Sequence, residues 1–87
     1  MGAAFMGPPA WDEGLQEVIN GFDVPRRFTR PKVGIDVVAR VVWERDGEEL
    51  VETSAVGWTR DLVLVQLQDR RSQFRGVWVR PRDVRRR

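Results

Sequence analysis

Two patterns of apolar residues divide the chain. Between Asp12 and Phe22, the residues Leu15, Val18, Ile19 and Phe22 recur at i, i+3, i+4 and i+7, the spacing of one helix face. Asp12 can cap the N-terminus of such a helix and Asn20-Gly21 can end it. At about ten residues this helix is marginal alone, so its apolar face has to dock on something. Residues 1–10 are rich in Gly, Ala and Pro and form an arm. Pro25 and Pro31 keep the basic connector Arg26 to Lys32 out of regular structure.

From Asp36 the period becomes that of a strand. Val37 to Trp43 is rich in Val, and Asp46-Gly47 is a strong hairpin signal. A two-residue turn there pairs Arg45 with Glu48, Trp43 with Leu50 and Val37 with Val56. A second hairpin with Arg60-Asp61 at its tip pairs Trp58 with Val63 and Val56 with Val65, although neither tip residue favours φ > 0. The polar stretch Gln68 to Arg75 leads to a short strand, Gly76 to Arg80, which Pro81 stops.

These pairings gather Val37, Ala39, Val41, Trp43, Leu50, Val56, Trp58, Val63, Val65 and Leu67 on one face, joined by Val77 and Val79. Glu52 and Ser54 fall on the same face, which calls for a bulge in the second strand. The opposite face holds Val38, Val42, Val51, Leu62, Leu64 and Trp78. A sheet that is apolar on both sides needs two covers; the helix is one candidate lid and a second copy of the chain the other.

The chain has 87 residues, enough for one domain that buries about 60 to 65% of its unfolded surface. With no Cys and no His, neither a disulfide nor a Cys/His zinc cluster can staple it, so the core carries the fold, alone or helped by self-association. The first six residues lack the basic stretch and long apolar run of a signal peptide, and Met6 stands where a myristoylation motif wants Ser or Thr. No segment has the apolar length of a membrane span. The expected location is the cytoplasm.

Charge is unevenly spread. Residues 1–35 carry no net charge, residues 36–69 carry three Arg against eight acids, and residues 70–87 carry eight Arg against Asp83. Fourteen of the fifteen bases are Arg, which codon bias explains; it does not explain their crowding at one end. Such polarity steers a charged partner.

The succession of short strands closed by Gly76-Val77-Trp78-Val79-Arg80-Pro81-Arg82-Asp83-Val84 is similar to the Gly-aromatic-aliphatic-Pro stretch and short 3₁₀ turn that end SH3 domains. The chain resembles the SH3-like small barrels, the class of SH3, Tudor and KOW-type modules. An extra residue before Pro81 and the absence of Tyr separate it from the SH3 domains that bind proline-rich peptides. Ala39-Arg40-Val41-Val42-Trp43-Glu44 and Trp78-Val79-Arg80-Pro81-Arg82 also resemble the C-terminal DNA-binding domain of retroviral-type integrases. The resemblance spans residues 36–84. The expected fold is mainly β: an SH3-like small barrel of four to five antiparallel strands over 36–87 with a basic C-terminal tail, preceded over 1–35 by the arm, one short amphipathic helix and the Pro/Arg connector.

The chemistry points to binding and away from catalysis. Without His or Cys the usual general bases, thiol nucleophiles and zinc ligands are missing, no Gly-rich phosphate loop is present, and no catalytic residue, metal ligand, cofactor or small-molecule substrate is indicated. The carboxylates Glu44 to Glu52 surround a hairpin tip, where charge serves solvation. Trp43, Trp58 and Trp78 could form an aromatic cage for a methylated cation only if they shared a face, and the pairing places Trp78 apart. The main candidate site is a nucleic-acid-binding set of Arg70, Arg71, Arg75, Arg80, Arg82, Arg85, Arg86 and Arg87, whose forks match phosphates, with Trp78 to stack on a base. Against it stands a solubilising tail at Arg85 to Arg87 and a Trp78 buried under the helix. The other candidate is an assembly or adaptor role, in which Leu15, Val18, Ile19 and Phe22 meet another protein chain or a second copy.

Overall fold

The computed structural model of the chain describes residues 14–87. Five strands form one antiparallel sheet: β1 (Ile35–Trp43), β2 (Gly47–Trp58), β3 (Val63–Gln66), β4 (Gly76–Val79) and β5 (Val84–Arg86), in the order β4-β3-β2-β1-β5. A 3₁₀ turn over Pro81–Asp83 separates β4 from β5. The chain runs as a meander through β4, then crosses to the far side of β1. The sheet is open, with β4 and β5 at its edges, so the expected barrel is not closed: among the described residues no ladder joins β5 to β4. No helix among the described residues is long and apolar enough to cross a membrane.

The first hairpin differs from its expected register. Gly47 does take a positive φ of +79°, as the sequence required. The loop, however, has three residues, Glu44, Arg45 and Asp46, and β1 pairs Trp43 with Gly47, Arg40 with Leu50 and Val37 with Thr53. The slip relative to a two-residue turn is odd, so it exchanges the faces of β2. Leu50 is turned outward and is 64% exposed, while Val51 packs against the buried group of Val41, Trp43 and Leu67. A positive φ fits the end of a three-residue loop as well as a tight turn, which is why Gly47 alone did not settle the register.

The second hairpin keeps its expected Trp58–Val63 pair. Beyond it the register shifts between Ala55 and Gly57, so that Val65 faces Ala55 and not Val56. The bulge expected at Glu52 and Ser54 is not there, since β1 and β2 pair without a break through those residues; the irregularity of β2 lies at Ala55–Gly57, against β3. Thr59 makes the turn without any positive φ: its hydroxyl oxygen accepts from the N–H groups of Asp61 (3.1 Å) and Leu62 (2.9 Å).

The core occupies one face. Val37, Ala39, Ala55, Val65 and Val79 form one buried group, and Val41, Trp43 and Leu67 a second beside it. Trp78 belongs to neither. Its partner in the ladder is Leu64, on the other face, where Phe28 meets its ring edge-on at 4.9 Å and leaves it 3% exposed. The outer face therefore has a cover, and the connector supplies it: Thr29 and Trp58 exchange backbone hydrogen bonds of 2.8 and 2.9 Å, which seats Phe28.

The helix expected over Asp12–Phe22 is absent; Asp12 and the arm lie outside the described residues. From Gly14 to Phe22 the chain is non-helical, with Val18 bridged to Trp43 and Phe22 to Trp78. Ile19 N–H donates to the Val42 carbonyl at 2.8 Å and Glu44 N–H to the Glu17 carbonyl at 2.9 Å, extending the ladder along β1 beyond the reach of β5. The amide of Asn20 continues it, donating to the Arg40 carbonyl and accepting from Val42 N–H, both at 2.9 Å. Asn20, Gly21 and two adjacent β-branched residues are poor helix formers, and an edge with unpaired groups offers the short segment more than one helical turn would. Burial follows suit: Val18 packs inward, whereas Ile19 is 63% exposed.

Candidate nucleic-acid interface

The arginines near the C-terminus do not form one patch. β4 separates Arg70, Arg71 and Arg75 on its N-terminal side from Arg80 and Arg82 on its C-terminal side. Arg71 lies over the Trp43 ring, 4.2 Å from its centroid, and is held by three carboxylates: Glu49 and Asp69 at 2.8 Å and Asp46 at 3.0 Å. These contacts raise Arg71 above its usual range and pull Asp69 down to about 2, chiefly through the Arg71 hydrogen bonds. Glu49 is lowered first by Arg71, and Asp46 first by Gln16 and then by Arg71. An arginine with three partners and a ring beneath it has little left for a phosphate. Arg71 is a structural clamp between the β3–β4 loop and the first hairpin.

Arg87 is also engaged. It donates to the Val37 and Thr53 carbonyls at 3.1 Å and lies 3.6 Å from both Asp36 and Glu52. The single acid of the basic stretch, Asp83, is turned inward to Arg40 and Asn20, so it does not neutralise its arginine neighbours. Arg40 also pairs with Glu48.

Two of the remaining cations, Arg80 and Arg82, meet a residue absent from the expected set. Arg60, Arg80 and Arg82 surround a shallow, open depression of about 340 Å³, with Asp61 and Pro81 completing its rim. A meander puts the β2–β3 turn at the same end of the sheet as the residue that follows β4, so the arrangement follows from the topology. Arg60 could have been added on that ground once the hairpins were assigned. None of the three makes an ion pair among the described residues. Arg80 stacks on Phe22, 4.6 Å from the ring centroid, and Arg30 on Phe28 at 4.7 Å. Arg85 and Arg86 lie in β5, opposite Val38 and Val37, and are exposed. They belong to the sheet and not to a loose tail. Arg70 and Arg75 are exposed in the β3–β4 loop.

Trp78, expected as a stacking platform, lies off the core face as its pairing implied, but beneath Phe28. Trp43 and Trp78 occupy opposite faces, so the three Trp residues do not form a cage. Of the expected protein-contact residues, Leu15 and Val18 are half-buried, whereas Ile19 and Phe22 face solvent. Comparison with known proteins finds no matching family, curated protein or solved structure.

Proposed function

We propose that the chain is a cytoplasmic, non-enzymatic binding module, an open-sheet relative of the SH3-like small barrels, that holds nucleic acid by its phosphates. The fold reading is supported by the strand order β4-β3-β2-β1-β5 and by the 3₁₀ turn Pro81–Asp83 before β5. The functional reading is carried by the convergence of Arg60, Arg80 and Arg82 on one depression, with Asp61 the one carboxylate on its rim. Arg85 and Arg86 extend the positive surface along β5. Guanidinium groups without acidic partners are the ones that can fork onto phosphate oxygens. The absence of His and Cys, together with the engagement of Asp46, Glu49 and Asp69 by Arg71, supports a role without catalysis.

A salt-dependent titration tests this. Three phosphate contacts on duplex DNA make log K fall with log salt at a slope of about −2.7, and each contact removed flattens it by about 0.9. Absence of binding to any nucleic acid at low ionic strength would refute the reading. Assembly with another protein chain or a second copy is a separate proposal, favoured by the exposure of Ile19, Phe22 and Val24. Sedimentation at increasing concentration tests the second copy: a mass that stays that of one chain removes it.

A further inference from the structure

We infer that the nucleic acid is single-stranded, and that its unpaired bases lie in a groove on the outer face of the sheet. This rests on the phosphate-binding reading above. The groove, about 870 Å³, runs between the segment from Leu15 to Arg30 and the stretch Ser72 to Trp78, with Leu64 and Val56 in its floor. Two rings in it are open to solvent, Phe22 at 43% and Phe74 at 66% exposure, whereas Trp78 lies beneath Phe28. Phe22 and Phe74 are thus the available stacking platforms.

Arg80 makes the groove and the arginine depression one continuous surface. It borders the depression and lies on the Phe22 ring, and Phe22 lines the groove. A strand whose phosphates sit on Arg60, Arg80 and Arg82 therefore has its neighbouring bases beside Phe22. Arg30 and Arg75 supply positive charge farther along, and neither forms an ion pair among the described residues. The carboxylates Glu17, Asp23 and Glu44 all belong to the wall made by the N-terminal segment and the first hairpin, so the backbone keeps to the Arg75 wall. Exposed rings beside a cluster of arginines suit single strands, because every base has a face to stack. A duplex keeps its bases paired and would first have to unstack them.

The test compares three probes with the full chain at fixed salt: oligothymidylate, a duplex of the same length, and inorganic polyphosphate. Oligothymidylate should bind more tightly than the duplex. Phe74→Ala, in an exposed loop, should weaken oligothymidylate about tenfold while leaving polyphosphate binding unchanged; Phe22→Leu, which also removes the ring under Arg80, should weaken oligothymidylate more than polyphosphate. Equal affinity for single strand and duplex, with both variants behaving as the parent, overturns the inference and leaves the phosphate reading standing. An equal loss of oligothymidylate and polyphosphate binding in both variants also overturns it, because the rings would then act on the phosphate site and not on bases. Failure to bind any of the three probes removes the phosphate reading itself.

Discussion

The two ends of β2 hold arginines of opposite fate. At its N-terminal end Arg71 lies on Trp43 among Asp46, Glu49 and Asp69; past its C-terminal end Arg60 joins Arg80 and Arg82 with Asp61 as the one carboxylate on the rim. The residue type is the same, so the partners decide whether the charge cements the fold or is presented to solvent. Arginine density along a sequence therefore overstates a binding surface wherever a loop folds back onto an acidic hairpin.

Four measurements sharpen that contrast. Trp43→Ala, which removes a buried ring and the platform of Arg71 together, should cost about 3–5 kcal/mol in urea unfolding. A loss below 1 kcal/mol would mean that the hairpin end is not cemented as described. Next, Arg60→Gln with Arg82→Gln should flatten the salt dependence of nucleic-acid binding by about 1.8 and leave thermal melting unchanged. Arg71→Gln should do the reverse, lowering the melting temperature without altering that slope; if it flattens the slope as much, the division of the arginines is wrong.

A smaller effect separates the edges. Asn20→Ala leaves Val42 N–H and the Arg40 carbonyl without their partner and should cost about 1–3 kcal/mol, whereas Ile19→Asp, at an exposed position, should change stability by about 0.5 kcal/mol or less. A larger loss for Ile19→Asp would restore the docked apolar face. The smallest effect is the acid response of Asp69. Its carboxyl is depressed from 3.8 to about 2, so its stabilising contribution is present above pH 3.8 and is lost as pH falls through about 2. Asp69→Asn should remove that part of the acid dependence, seen in melts recorded from pH 5 down to pH 2; an unchanged profile would dissociate Asp69 from the Arg71 clamp.

Much of the sheet was legible because alternation and turn chemistry are local. The β1 core positions Val37, Ala39, Val41 and Trp43, the Trp58–Val63 pair and the positive φ of Gly47 all rest on such signals. The faces of β2 were not, because the loop length that sets them leaves no mark beyond the glycine. The segment around Val18 has a helical spacing that an extended chain also satisfies for its few inward residues, and the open edge of β1 decides between them. β5 has three residues and no period to detect; it exists because Val37 to Ala39 offer it partners. In the site, Arg80 and Arg82 were found by composition, Arg60 only by topology, and the diversion of Arg71 depended on contacts 22 and 25 residues away.

The Asn20 amide has a kinetic consequence. It bridges to Asp83, 63 positions later, at the junction where two segments distant in sequence complete the same edge of β1. Closing so long a loop is entropically costly, so the expected order of folding is the meander from β1 to β4 first and this seam last. Until it does, β1 presents an unpaired, Val-rich edge, the element of the molecule most open to pairing with another chain. Destabilising the seam should therefore slow the final folding step and raise aggregation during refolding, before any loss is visible in the equilibrium stability of the native state.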